Sequence, residues 1–220
     1  MEEKENKEPM YNMCEIFESI QGEGPQIGMP AIFIRLAGCN LSCAWCDSKY
    51  AFNGTLTTMK EILTQTRLSK CKNVIVTGGE PLIQEIRPLI VELLKQEKKV
   101  YVETNGTIFS EHLIGLATFI VSPKTQFLKA IPSYMQTLFR WSAHATFKFV
   151  IQDEADYAEA KKLLRYVKTN NPVYFMPEAI DEKVMKERLL WLVDKIRGEE
   201  LDVRVTPRLH IYLWGMKRGV

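Results

Sequence analysis

The chain has 220 residues, 46% of them hydrophobic and 25% charged, with a formal net charge of +2. That length supports one domain with a sizeable core, and so even a charge balance gives no reason to expect direct nucleic-acid or membrane binding. No apolar run is long enough to span a bilayer, and residues 1–9 read as a flexible mixed-charge tail rather than a signal peptide, so a single domain over 10–220 and a cytoplasmic location are expected.

Elements alternate along the chain. Ala31–Leu36 is a strand-like run and Thr58–Ser69 a helical one. Asn73–Thr77 is the next strand. It is followed by a helix over Arg87–Gln96, whose Pro88 is tolerated in the first turn and whose Leu89, Ile90, Leu93 and Leu94 share a face. Lys99–Glu103 and Thr118–Ser122 are further strands. Lys124–Ala143 fits neither period and reads as an irregular insertion near a site or an interface. Thr146–Ile151 is a strand, and Ala155–Lys168 is a helix with Ala158, Leu163, Leu164 and Val167 at helical spacing. Pro172–Met176 is a strand. Asp181 can cap a helix over Glu182–Arg197, which Gly198 can end. Apolar residues at successive strand positions suit a parallel sheet covered on both faces. The alternation predicts an α/β fold, and the length favours an abbreviated, open (β/α)6-type partial barrel, because a full eight-stranded one needs about 250 residues.

In such folds the polar sequence after each strand forms the functional rim. Here it comprises Gly38-Cys39-Asn40, Thr77–Pro81, Glu103–Gly106, Ser122–Lys124 and Met176–Glu178. The strongest local signal is Cys39, Cys43 and Cys46, spaced C-x3-C-x2-C. A structural zinc site closes with four ligands, and an electron-transfer four-iron cluster takes four cysteines. Three thiolates leave one iron open. Cys14 and Cys71 lie in or beside apolar runs, where burial is the plainer reading. The alternative for the triplet is a zinc knuckle completed by His112, His144 or His210.

From Glu15 to Tyr50 the sequence reads EIFESIQGEGPQIGMPAIFIRLAGCNLSCAWCDSKY, and the chain ends RLHIYLWGMKRGV. The cysteine segment alone resembles many radical S-adenosylmethionine enzymes. With SIQGEG, Arg35 and the C-terminal run, the chain resembles the 7-carboxy-7-deazaguanine synthases from about Met10 to Val220. The resemblance implies a homodimer, a [4Fe-4S] cluster, S-adenosylmethionine, Mg2+ and an electron donor such as flavodoxin or ferredoxin. It also implies ring contraction of 6-carboxy-5,6,7,8-tetrahydropterin with loss of ammonia, in queuosine and 7-deazapurine biosynthesis. A radical activase acting on a partner protein would share the cysteines but not the SIQGEG and Arg35 features. A metal-binding interaction module would need a closed four-ligand site.

The resemblance assigns roles residue by residue. Cys39, Cys43 and Cys46 hold the cluster. Trp45, Cys46, Asp47, Gly79, Glu80, Ser122, Pro123, Lys124, Phe175, Met176, Pro177 and Glu178 meet S-adenosylmethionine. For Phe175 and Met176 a core strand end is the competing reading. Glycines at 78 and 79 let backbone carbonyls approach an ammonium with no side chain in the way. Ile20, Gln21, Gly22, Glu23, Arg35, Thr77, His210 and the Val220 carboxylate meet the substrate. Arg35 suits a carboxylate because its planar fork binds two oxygens, and left unpaired in an apolar strand it would be costly. Ser48 stands where most of the family carries Thr as the Mg2+ ligand; it keeps the hydroxyl that a hard cation needs. Arg208, Trp214 and Arg218 read as support.

Overall fold

The computed structural model describes residues 8–167, 169–199 and 201–220, so most of the expected tail (1–7) and Lys168 lie outside the described residues. One nine-stranded sheet organises the chain. β1 (Met10–Ile20) pairs antiparallel with β2 (Pro30–Leu36) on one side and with β3 (Thr55–Thr58) on the other. From β2 onward every pairing is parallel, through β4 (Asn73–Gly78), β5 (Lys99–Thr104), β6 (Thr118–Val121), β7 (Ala145–Ile151), β8 (Tyr174–Pro177) and β9 (Arg204–Val205). The order is β3-β1-β2-β4-β5-β6-β7-β8-β9, and the two ends do not join. The open (β/α)6-type plan therefore holds for β2 and β4–β8, extended by a hairpin on one edge and a two-residue strand on the other.

The helices are α1 (Met59–Leu68), α2 (Arg87–Lys95), α3 (Tyr134–Trp141), α4 (Glu154–Leu164), α5 (Glu182–Glu199) and α6 (Leu209–Trp214). Thr58 and Glu61 form a reciprocal capping box that starts α1. Asp153 accepts from the backbone N–H of Ala155 and Asp156 to start α4. Asp181 accepts from Val184 N at 2.9 Å, as expected of a cap. Gly198 does not stop α5, which runs on through it to Glu199; a glycine in a final turn costs only about 1 kcal/mol relative to Ala.

Lys124–Ala143 departs from expectation. It contains a short 3-10 turn at Thr125–Phe127 and then α3. Tyr134, Leu138 and Trp141 lie one turn apart and are fully buried, which is what docks this short helix.

The sheet's two faces differ. Ile32, Ile34, Val74, Val76, Val100, Val102, Phe147 and Phe149 belong to one large apolar core with the buried faces of the helices. On the other face, Phe17, Phe33, Ile75 and Tyr101 form a small apolar floor. Two residues further along the same strands stand Arg35, Thr77 and Glu103, with Lys148 between Phe147 and Phe149. The strands are thus not apolar on both faces throughout: their carboxyl ends turn a polar row to the concave side.

Candidate functional site

A cavity of about 250 Å3 opens above that polar row, at the carboxyl ends of the parallel strands. The cysteine loop forms one wall. It leaves β2 at Gly38, whose φ of +89° suits a residue without a Cβ, and it is pinned by Gly38 N to Ala51 O and by Glu80 N to Gly38 O, both 2.8 Å. Gly79 lets it pass: a Cβ there would sit 2.1 Å from Gly38 O.

Cys39, Cys43 and Cys46 are free thiols, each partly exposed, and Cys43 and Cys46 face the cavity. Leu41 N donates to Cys39 Sγ at 3.4 Å. Burial pushes the Cys39 thiol up, and Cys43 and Cys46 lie near enough to add to the rise. Yet among the described residues no three His, Cys, Asp or Glu side chains converge as they do around a single ion. Of the histidines, His112 lies by Glu85, His144 lies by Phe109, and His210 lines the cavity beside Glu23. Cys71 sits at the far end of the sheet, against Pro30 O and Asn73 O.

The loop is tied to the next rim segments. Asn105 Nδ2 donates to Asn40 Oδ1 at 3.0 Å, and Asn40 Nδ2 donates to Thr107 Oγ1 at 2.8 Å. Lys124 Nζ lies 5.5 Å above the Trp45 ring and donates to Ser122 Oγ at 3.1 Å. Trp45, Cys46, Asp47, Gly79, Ser122, Lys124 and Glu178 all line the cavity.

Five of the expected cofactor contacts do not reach it. Glu80 is wholly buried and turned inward, accepting from Leu82 N at 3.0 Å, Thr104 Oγ1 at 2.7 Å and Asn105 N at 2.6 Å. Burial pushes its pKa up to about 7 despite those three donors. Phe175 and Met176 are fully buried, and Phe175 packs edge-on against Phe149 and Tyr157. Pro123 and Pro177 are likewise absent from the lining. At the end of β8 only Glu178 meets the cavity, held by Arg188.

All eight expected substrate contacts line the same cavity. Arg35 Nε donates to Glu15 Oε1 at 2.8 Å, and its guanidinium lies 5.8 Å from the Phe17 ring centroid and 5.7 Å from that of Tyr50. Glu15 and those rings hold the fork in place. Leu209 N donates to Gly22 O at 2.8 Å, which docks α6 on the loop after β1. Gly22 is required there, since a Cβ would fall 2.1 Å from His210 Nδ1. Ser19 Oγ donates to the backbone oxygen of Val220, which brings the chain end to the cavity. Ser48, the expected Mg2+ ligand, lines the wall and donates to Asp47 Oδ1 at 2.9 Å.

The floor holds a buried charge network that sequence reasoning found only in part. Lys148 Nζ reaches Glu23 Oε2 at 2.7 Å and Glu103 Oε1 at 3.0 Å. Arg208, read as support, donates through Nε to Glu23 Oε1 at 2.8 Å, pairs with Asp47, and reaches Ala179 O at 2.8 Å. Burial alone would raise the Glu23 carboxyl, but Lys148, Arg208 and His210 reverse that and hold it well below its ordinary value. Burial likewise opposes, and Arg208 overcomes, the charging of Asp47, whose pKa is lowered. Burial lowers that of His210. Lys148 was legible as the one charged residue in Ala145–Ile151, flanked by phenylalanines of the core.

An open, largely parallel sheet with three thiols at its carboxyl rim has the form of a radical S-adenosylmethionine protein, and the family model for the Radical SAM superfamily matches residues 33–120. A 7-carboxy-7-deazaguanine synthase from Pyrobaculum aerophilum is 36% identical, over 96% of this chain and 98% of its own. One from Aquifex aeolicus is 34% identical, over 89% of this chain and 90% of its own. The chain belongs to the 7-carboxy-7-deazaguanine synthase family. The crystal structure of QueE from Escherichia coli shares the fold, with a TM-score of 0.70 at 23% identity, covering 90% of this chain and 94% of that one.

Proposed function

We propose that this protein is a radical S-adenosylmethionine lyase that converts 6-carboxy-5,6,7,8-tetrahydropterin to 7-carboxy-7-deazaguanine with release of ammonia. The observation that carries the reading is one cavity lined both by Cys43 and Cys46 and by Arg35, Thr77, His210 and Val220. The family relationship supports the same reaction.

Cys39, Cys43 and Cys46 would hold a [4Fe-4S] cluster. When bound, the cluster and S-adenosylmethionine supply one-electron chemistry that yields a carbon-centred radical able to abstract hydrogen. The chain's own contribution is positioning and exclusion of water. Gly78 and Gly79 present backbone carbonyls beside the cysteine loop. Ser122 and Lys124 present a hydroxyl and an ammonium, and Trp45 and Glu178 border the same space. Arg35 binds the substrate carboxylate with its terminal nitrogens, Nε being committed to Glu15. Gln21, Glu23, Thr77 and His210 face the fused ring.

Ser48, with Asp47 beside it, offers hard oxygens for Mg2+. A homodimer and a flavodoxin- or ferredoxin-like electron donor belong to the same reading. Anaerobic reconstitution followed by reductant, S-adenosylmethionine, Mg2+ and the carboxypterin tests it. The deazaguanine product is expected. Cleavage of S-adenosylmethionine with no product, from a fully loaded protein, would leave the class standing and overturn the substrate.

A further inference from the structure

The cavity floor contains a lysine to which nothing above gives a role. Lys148 is buried, with its side chain only 4% exposed, and its one ammonium spans two carboxylates from different elements. Glu23 comes from the loop after β1 and Glu103 from the end of β5. Both carboxylates line the cavity. Glu103 also has neutral partners: Gln21 Nε2 donates to its Oε1 at 3.1 Å, and Thr77 Oγ1 donates to its Oε2 at 3.3 Å. Arg208 holds the far oxygen of Glu23. Glu103 has no other cationic partner among the described residues. The chain makes room for this bridge: Gly24, at φ +64°, lies over the lysine stem, and a Cβ there would be 3.2 Å from Lys148 Cδ.

We infer that Lys148 is the positioning residue of the substrate pocket, fixing Glu23 and Glu103 as a pair of acceptors for a ring edge that carries adjacent N–H donors. The inference rests on the substrate reading above and extends it to the basis of ring selectivity.

The physical argument concerns like charges. Two carboxylates that share one ammonium at 2.7 and 3.0 Å are close neighbours. With the cation removed they repel, and one of them takes up a proton. A protonated carboxyl presents an O–H donor where the ring needs an acceptor. Lys148 therefore keeps both groups in the accepting state and in one orientation. It touches the carboxylates, not the reacting atoms, so its loss should fall on substrate binding more than on turnover. A 2-amino pterin edge offers two donors to the pair. A 2-oxo analogue puts a carbonyl oxygen against a carboxylate, and the site rejects it.

The test compares wild type with Lys148→Met and with the double variant Lys148→Met/Glu103→Gln, which removes the stranded charge together with its partner. Calorimetry measures binding of the carboxypterin and of its 2-oxo analogue to cluster-free protein, and steady-state assays of loaded enzyme give KM and kcat. Melting curves report folding. For Lys148→Met a rise in Kd and KM of roughly tenfold or more is expected, the size of a lost charge-assisted contact, with a smaller change in kcat. Discrimination between the two rings should narrow, and the double variant should recover part of the affinity. Unchanged Kd and ring preference in a folded Lys148→Met protein would overturn the inference. If that variant does not fold, the double variant decides in the same way, by retained or lost ring preference. Failure of wild type to bind the carboxypterin would instead sink the substrate reading and this inference with it. Binding without product would challenge the reaction alone.

Discussion

Cys43 and Glu80 show how differently two rim residues work. Cys43 opens on the cavity, and under the proposed function its sulfur would hold a cluster iron. Cys43→Ala should keep the fold and lose cluster loading and all S-adenosylmethionine cleavage, read by iron content and product assay. Glu80 acts from behind the wall. Its carboxyl has a pKa of about 7 against an ordinary 4.5, so the fold favours its protonated form. The stability linked to it is complete below its ordinary pKa and is lost as pH rises through about 7. Unfolding of the cluster-free protein should show that loss between those two values, and Glu80→Gln, which cannot ionise, should flatten it. Glu80→Ala should cost about 1–3 kcal/mol, because Asn105 N and Leu82 N then lose a buried acceptor. The TGGEP segment showed that a glutamate follows the glycines. It did not show which way that glutamate points, because Thr104 and Asn105 are remote in sequence and meet Glu80 only through the pairing of β4 with β5.

At the scale of elements, the turns set the site more than the helices do. Gly79 passes so near the cysteine loop that any side chain would press on the Gly38 carbonyl. That neighbour is backbone, which cannot swing aside. Gly79→Ala should therefore displace the loop and cut iron incorporation severalfold, while leaving the core and its circular dichroism in place. Gly22 has a similar constraint, although its neighbour is the His210 side chain. Six of the seven parallel strands were readable as runs of Val, Ile, Phe and Tyr, and the two-residue β9 was too short to be. β1 was not, since Glu15 and Glu18 interrupt its apolar residues and it lies near the edge of the sheet. In α3 the spacing of Tyr134, Leu138 and Trp141 was present in the sequence but was masked by the short 3-10 turn and Pro132 before it.

Across the whole molecule, Arg208 holds the most distant parts together. It joins Glu23 after β1, Asp47 at the end of the cysteine loop, and Ala179 after β8, and it stands at the start of α6. Arg208→Met would leave the half-exposed Asp47 without its cation and Glu23 with Lys148 as its remaining close one. A loss of about 1–3 kcal/mol in denaturant unfolding is expected, the size of lost charge-assisted hydrogen bonds where one carboxylate keeps Lys148 and the other is screened by solvent. The sign of its pH dependence follows from the lowered pKa values of Glu23 and Asp47. Their stabilisation is present above the ordinary carboxyl pKa and is lost only as pH falls through the lowered one. Wild type should hold its stability further into acid than the variant does.

The amino-acid sequence by itself determined the strand and helix alternation, the open parallel plan and the three-cysteine loop. It also carried the resemblance that put Arg35, Thr77, His210 and Val220 at one site. These are local properties: spacing, periodicity and motif are written in neighbouring residues. Tertiary structure alone decided which face each rim side chain takes. It turned Glu80 inward and sank Phe175 and Met176 in the core. It also made Lys148, a lone charge between core phenylalanines, the centre of the charge network on the cavity floor. The reason is the two-residue period of a strand, which sends neighbours to opposite faces. Which face becomes core and which becomes cavity is settled only when the helices cover one of them.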